Sequence, residues 1–134
     1  MSKRILIVDD EPHMLRITDF SMKKAGYTTI TARNGREAIN LAQSALPDLI
    51  VMDVSMPEMD GIAALKELKA SASTAKIPVI MLTSRGQNLT RDEAEHSGAA
   101  LYVTKPFSPS ALASEVRRIM DGPAVPNISP DSPA

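Results

Sequence analysis

The chain has 134 residues, enough for one domain with a single hydrophobic core. It lacks cysteine, which excludes disulfide bonds and thiol chemistry, and its net charge of −1 without a block of Lys or Arg does not favour a nucleic acid or an anionic membrane as a partner. The apolar pattern predicts neither a cleavable leader nor a membrane span, so we expect a cytoplasmic location.

Short apolar runs alternate with helical patterns from the N-terminus onward. Residues 5–8 form a continuous apolar run, typical of a strand buried on both faces, and a helix is predicted to begin at Pro12. Residues 27–32 predict a Thr-rich strand near an edge of the sheet. Asn34 is the predicted N-cap of a second helix, which Pro47 ends.

The second half of the chain repeats this alternation. Residues 49–52 predict a third strand, and after the loop VSMPEMDG a third helix carries Leu65. The run IPVIML predicts a fourth strand ending at Thr83, and residues 88–97 predict a polar, poorly anchored helix. The run ALYVTKPF predicts a fifth strand, and a last helix follows from Ser108. These repeats predict an α/β fold, a doubly wound five-stranded parallel sheet with helices on both faces.

The chain divides into a folded part and a C-terminal tail. Residues 121–134 hold four of the ten prolines, so we expect a disordered tail or linker there. We therefore predict one domain over residues 1–120.

Charged and hydroxyl side chains stand at the ends of four predicted strands. Asp9 and Asp10 follow the first strand, and Asp53 follows the third. Thr83 ends the fourth strand, and Lys105 lies near the end of the fifth. In open parallel sheets, sites form beyond the carboxyl ends of the strands. We therefore expect these five residues to meet in one cleft.

Three carboxylates in one cleft repel each other unless a cation lies between them. Their oxygens suit Mg²⁺, which binds one or two carboxylates, keeps several waters and recruits phosphate. With a Lys and a Thr beside it, Asp53 can act as the nucleophile of a phosphoryl transfer and form an acyl phosphate. Simpler alternatives are that residues 9–11 cap the first helix, that Lys105 forms a surface salt bridge, and that Thr83 is a turn residue.

Four stretches, ILIVDDEP, LIVMDVSMPEMDG, IPVIMLTS and ALYVTKPF, together resemble the receiver domain of two-component response regulators. The resemblance covers residues 3–120 and implies the flavodoxin-like strand order 2-1-3-4-5 of the chemotaxis regulator CheY. It implies that Asp53 is the phosphoacceptor and a Mg²⁺ ligand. Asp10 would bind Mg²⁺ directly, and Asp9 largely through water. The backbone carbonyl of Ser55 would be a further ligand.

The same resemblance assigns roles to the residues on the fourth and fifth strands. Thr83 would hydrogen-bond the phosphoryl group, Lys105 would pair with it, and Tyr102 would be the switch aromatic. The peptide bond before Pro106 would be cis. The phosphoryl donor would be a sensor histidine kinase, a phosphotransfer protein or a small acyl phosphate. A target protein would bind the face formed by the fourth helix, the fifth strand and the last helix. Such a domain catalyses only its own phosphorylation and dephosphorylation, so we do not expect an enzyme acting on external substrates.

Three other functions fit parts of the pattern. A flavodoxin-like FMN carrier needs a phosphate-binding loop after the first strand, where the acids at positions 9–11 would repel the phosphate. An aspartyl phosphatase commonly carries a second acid two residues after its nucleophile, where this chain has Ser55. A receiver-like binding module that signals without phosphorylation is compatible with the whole sequence.

Overall fold

A computed structural model describes residues 3–56, 59–84 and 98–121 of the chain. The helix predicted at 88–97 and the tail from residue 122 onward lie outside the described residues. The elements follow in the order β1 (Arg4–Val8), α1 (Pro12–Lys24), β2 (Thr28–Ala32), α2 (Gly35–Ala45), β3 (Leu49–Asp53), α3 (Gly61–Ala70), β4 (Val79–Ser84), β5 (Leu101–Lys105) and α4 (Pro109–Asp121). Within the described ranges, no helix has the length and apolar character needed to cross a membrane.

The five strands form one parallel sheet in the order β2-β1-β3-β4-β5. β3 is central and all its residues are buried, whereas the Thr-rich β2 lies at an edge, as predicted. In the sheet register Val8 lies beside Met52, and Asp53 lies beside Leu82. This register brings the carboxyl ends of β1, β3 and β4 to one edge. The predicted fold class and strand order are confirmed.

The core has two layers, one on each face of the sheet, because successive side chains of a strand point to opposite faces. Leu6 of β1 belongs to the layer that contains Leu65 of α3. Its neighbour Ile7 belongs to the opposite layer, with Met22 of α1 and Leu112 of α4. Helices therefore cover both faces, and the edge at the strand ends is left to the loops.

The helices begin in different ways. Asn34 accepts a hydrogen bond from the backbone N–H of Glu37 at 2.8 Å, which confirms it as the N-cap of α2. Asp60 caps α3 through the N–H of Ala63, also at 2.8 Å. Glu11 occupies the N-cap position of α1 but makes no side-chain capping bond. The first helix therefore begins without the cap that its acidic N-cap residue could provide.

The last helix starts where the sequence predicts and ends slightly later. The hydroxyl of Ser108 accepts a hydrogen bond from the N–H of Ala111 at 3.4 Å, in the manner of an N-cap. Helix α4 continues to Asp121, one residue past the domain boundary predicted at 120. The boundary itself stays a prediction.

Candidate functional site

Three carboxylates meet at the carboxyl edge of the sheet. Asp9 and Asp10 follow β1, and Asp53 is the last residue of β3. One carboxylate oxygen of each lies within 4.8 Å of the other two. Asp9 and Asp53 are buried, whereas Asp10 is exposed. The structure thus brings together the acids that the sequence placed after the first and third strands.

Lys105, the last residue of β5, lies between the two buried carboxylates. Its Nζ is 3.3 Å from Oδ2 of Asp53 and 3.4 Å from Oδ2 of Asp9. The Lys105 side chain is 20% exposed, and those of Asp9 and Asp53 are 2% and 9% exposed. This arrangement is not a surface salt bridge, because the carboxylates of Asp9 and Asp53 are buried. One ammonium group also neutralises only part of the charge of three carboxylates. The Lys105–Pro106 peptide bond is cis, as the sequence resemblance implied.

The two adjacent acids after β1 have different surroundings. Asp9 Oδ1 accepts a hydrogen bond from the backbone N–H of Glu11 at 3.0 Å, and Asp9 Oδ2 faces Lys105. The carboxylate of Asp10 makes no hydrogen bond or ion pair with any residue that the structure describes. Glu11 makes no side-chain capping hydrogen bond at the start of α1, and Asp9 bonds the N–H of that N-cap residue. Within the described residues, the oxygens of Asp10 are therefore the ones in the cluster that have no protein partner.

The surroundings of Asp53 disfavour the ionised form of its carboxylate. Burial raises the pKa of Asp53 above its ordinary value of 3.8, and the negative charge of Asp9 raises it further. The ammonium group of Lys105 and a hydrogen bond from the backbone of Ser55 lower that pKa, but burial dominates. The cluster therefore favours the arrival of additional positive charge beside Asp53.

The loop after Asp53 is held by a glycine that the sequence analysis did not single out. A Cβ atom at Gly61 would lie 2.2 Å from the carbonyl oxygen of Asp53, so no larger residue fits there. The Gly61 N–H donates to the carbonyl of Val54 at 2.7 Å, which ties the start of α3 to the end of β3. The Asp-Gly pair before the third helix was the available sequence signal. Ser55, inside this loop, is exposed.

Thr83 lies on β4 and Tyr102 lies on β5. Thr83 follows Leu82, the register neighbour of Asp53, and its hydroxyl makes no hydrogen bond to the described residues. Tyr102 lies beside Met81 and packs, half-buried, against the core layer of α2 and α3. The structure therefore places Thr83 at the same sheet edge as Asp53, and Tyr102 below that edge.

Comparison with known sequences gives one consistent family. The family model described as response regulator receiver domain matches residues 5–117. Over 120 residues the chain is 38% identical to the alkaline phosphatase synthesis transcriptional regulatory protein PhoP of Bacillus subtilis and 37% identical to the phosphate regulon transcriptional regulatory protein PhoB of Escherichia coli. These matches cover 90% of this chain but 49% and 52% of the two regulators. The chain spans about half the length of the curated relatives it matches.

Solved structures agree with the sequence matches. The signal receiver domain of a signal transduction histidine kinase from Syntrophus aciditrophicus is 37% identical, with a TM-score of 0.83 and 96% of both chains covered. The chemotaxis protein CheY4 of Vibrio cholerae is 32% identical, with a TM-score of 0.82, covering 89% of this chain and 99% of its own. Both similarities extend over nearly the whole described fold.

Proposed function

The chain belongs to the response regulator receiver domain family of two-component phosphorelay signalling, and we propose that Asp53 is its phosphoacceptor. The supporting observation is the position of the Asp53 carboxylate, buried at the end of the central strand with Lys105 Nζ at 3.3 Å. A dry carboxylate has lost its shell of water and is ready to attack an electrophile. No other acid in the cluster combines burial with a place on the central strand.

In the proposed reaction, an Asp53 oxygen forms a bond to phosphorus while the bond between phosphorus and the donor breaks. The donor leaves as neutral imidazole when it is a phosphohistidine whose other ring nitrogen carries a proton, or as a carboxylate when it is a small acyl phosphate. The product is an acyl phosphate on Asp53. Lys105 stays within reach of the transferred oxygens and offsets their charge. The hydroxyl of Thr83, which makes no hydrogen bond to the described residues, would donate to the phosphoryl group.

A Mg²⁺ ion fits the donor set of this site. Three carboxylates and one ammonium group leave a net negative charge, and their oxygens within 4.8 Å can converge on one small cation. We assign direct contact to Asp10, whose carboxylate is exposed and makes no hydrogen bond or ion pair with the described residues, and to Asp53, which also contacts Lys105 and the backbone of Ser55. The carbonyl of Ser55 would complete the protein ligands, with Asp9 acting through water. When bound, the ion neutralises charge on the phosphoryl oxygens.

The proposed output is a population shift of the face formed by the helix predicted at 88–97, β5 and α4. Phosphorylation adds charge at the strand ends, Thr83 closes on it, and the half-buried ring of Tyr102 turns further inward. A target protein would read this face. We propose no contact of this chain with a nucleic acid or a membrane. We propose a cytoplasmic location, where the kinase domain of a sensor would bind the chain.

A protein donor, a sensor histidine kinase or a phosphotransfer protein, is favoured by a pocket beside the site. An apolar pocket of about 550 Å³ lies next to Lys105, between Met14 of α1 and Phe107 after β5. A small acyl phosphate would not need such a surface, whereas a protein donor gains contact area there. Ser55 replaces the second acid of an aspartyl phosphatase, so the chain acts on itself and not on external phosphoesters.

Intact-mass measurement after incubation with acetyl phosphate and Mg²⁺ tests the acceptor. We expect one added phosphoryl group, absent in Asp53→Asn and in EDTA, and retained in Asp121→Asn, which removes an exposed carboxylate at the far end of α4. An adduct that persists in Asp53→Asn would show a different acceptor. Absence of any adduct, with purified phosphorylated kinases as donors as well, would favour the binding module.

A further inference from the structure

A groove of about 770 Å³ runs between α1 and α4, away from the acidic cluster. Its walls combine apolar surface with positive charge, and none of its described lining residues is acidic. The apolar part comes from Ile17, Phe20 and Ala113, and the cationic part from Arg16, Lys24 and Arg117. An occupant of this groove should therefore be apolar along its length and carry negative charge.

Phe20 gives the groove a large exposed apolar side chain, which is a feature of binding surfaces. Its side chain is 69% exposed, and among the described residues only Leu46 is another large apolar residue with such exposure. The Ser21 hydroxyl of α1 donates to the carbonyl of Pro109 at 3.2 Å, which ties α1 to the start of α4 across the groove. An apolar groove with an exposed aromatic ring is typical of sites for extended, Pro-rich segments.

We propose that residues 122–134 of this chain turn back from the end of α4 and dock in the α1–α4 groove as a polyproline II segment. Helix α4 ends at Asp121, about one turn beyond Arg117, so the segment leaves the helix at one mouth of the groove. Gly122 and Pro123 follow at once, and this pair is typical of a chain that stops a helix and changes direction.

The segment is long enough for this path. From Pro109 to Arg117 the groove follows α4 for about 12 Å. In polyproline II geometry the thirteen residues from 122 to 134 span about 40 Å. The turn away from the helix and the full length of the groove therefore use only part of the segment.

The spacing of its side chains matches the groove. A polyproline II helix has three residues per turn, so Val125, Ile128 and Asp131 lie on one face, about 9 Å apart. Val125 and Ile128 are the large apolar residues of the segment, and the Phe20 ring offers them apolar contact. Asp131 then reaches the end of the groove where Arg16 lies, two helical turns from Lys24. The apolar residues and the acid of the segment therefore follow each other in the same order as the apolar and cationic residues along the groove.

NMR of the full chain tests this contact directly. We expect nuclear Overhauser effects between the Ile128 methyl groups and the Phe20 ring in the unsubstituted chain. The test variant carries Val125→Ser and Ile128→Ser, which remove the apolar side chains that the groove would hold. That variant should shift the backbone amides of Phe20 and Ala113. The matched control carries Ala124→Ser and Asn127→Ser, which lie on another face of the segment, and it should leave the spectrum of the groove unchanged.

The competing occupant of the groove is a second copy of the chain. The contacts should be unchanged over a tenfold dilution if the segment docks within its own molecule. Contacts that weaken on dilution would assign the groove to a second copy and would overturn the proposal. It would also be overturned if no Ile128–Phe20 contact is seen, or if the control variant perturbs the groove as much as the test variant does.

Discussion

Replacing Asp53 by Asn should make the metal-free protein more stable. The attraction between Asp53 and Lys105 at 3.3 Å amounts to about 5 kcal/mol at an effective dielectric constant of 20. The carboxylate oxygens lie within 4.8 Å of one another, so the repulsion between Asp9 and Asp53 is at least about 3.5 kcal/mol on the same scale, and Asp10, which is exposed and screened, adds a smaller part. These charge terms nearly cancel. The burial of a charged carboxylate then decides the sign, and it opposes the ionised form.

Asn keeps the shape of Asp53 and can accept the hydrogen bond from the backbone of Ser55. We therefore expect Asp53→Asn to raise the free energy of unfolding by about 1–2 kcal/mol, the desolvation cost that remains after Lys105 has offset part of it. Urea unfolding followed by circular dichroism in EDTA measures this difference. Asp121→Asn, at an exposed carboxylate of α4, is the control and should change stability by less than about 0.5 kcal/mol.

The gain should depend on pH in a defined direction. Because the pKa of Asp53 is raised above 3.8, the folded state holds more protons than the unfolded state between 3.8 and the raised folded value. Wild-type stability from this group is therefore present below pH 3.8 and is lost as the pH rises through the folded pKa. The advantage of Asp53→Asn should appear over the same window. A variant no more stable than wild type at pH 7 in EDTA would refute the reasoning.

Three further changes separate the roles of other residues. Gly61→Ala should lower the free energy of unfolding by about 3 kcal/mol, because its Cβ would meet a backbone carbonyl at 2.2 Å. Gly26→Ala, at φ +102° with open space around it, should lower the free energy of unfolding by about 1 kcal/mol. Urea unfolding of both variants measures the difference. Asp10→Asn should weaken Mg²⁺ binding about tenfold more than Asp9→Asn in calorimetric titration, and equal losses would contradict the assignment of Asp10 as the direct ligand. Lys69→Met should lower the free energy of unfolding by about 1–2 kcal/mol, because the Lys69 Nζ donates to two carbonyls of the α3–β4 connection at 2.8 and 2.9 Å; an unchanged urea midpoint would contradict this.

The rule that sites form at the carboxyl ends of parallel strands was sufficient to predict, from the sequence alone, that the acidic residues lie together. Short apolar runs alternating with helical patterns predict a parallel sheet, and a parallel sheet places its carboxyl ends at one edge. The order of the strands came from the family resemblance, because hydrophobic periodicity does not tell which strands are neighbours. The sequence therefore predicted which elements surround the site, and the resemblance predicted how they are arranged.

Contacts between atoms were not accessible from the pattern. Nothing in the spacing of Asp9, Asp10 and Glu11 indicates that one carboxylate bonds the N–H of Glu11 while the next is left free. These differences depend on backbone dihedral angles after β1, which residue types constrain weakly. The tight contact of Gly61 with the carbonyl of Asp53 was missed for the same reason, since it joins two backbone segments whose approach only the folded sheet determines.

The acidic cluster links the stability of the fold to its occupancy. Asp53 is held at the end of the most buried strand, where Gly61 fixes the loop and Lys105 supplies only one positive charge for three carboxylates. A lysine in place of Asp10 would balance the charge of the cluster, but it would also weaken the attraction of the cluster for a cation. The excess negative charge of the cluster therefore favours the binding of a cation beside Asp53. Any species that supplies positive charge, or converts the carboxylate into a bound phosphoryl group held by Lys105, then shifts the population of the whole sheet edge.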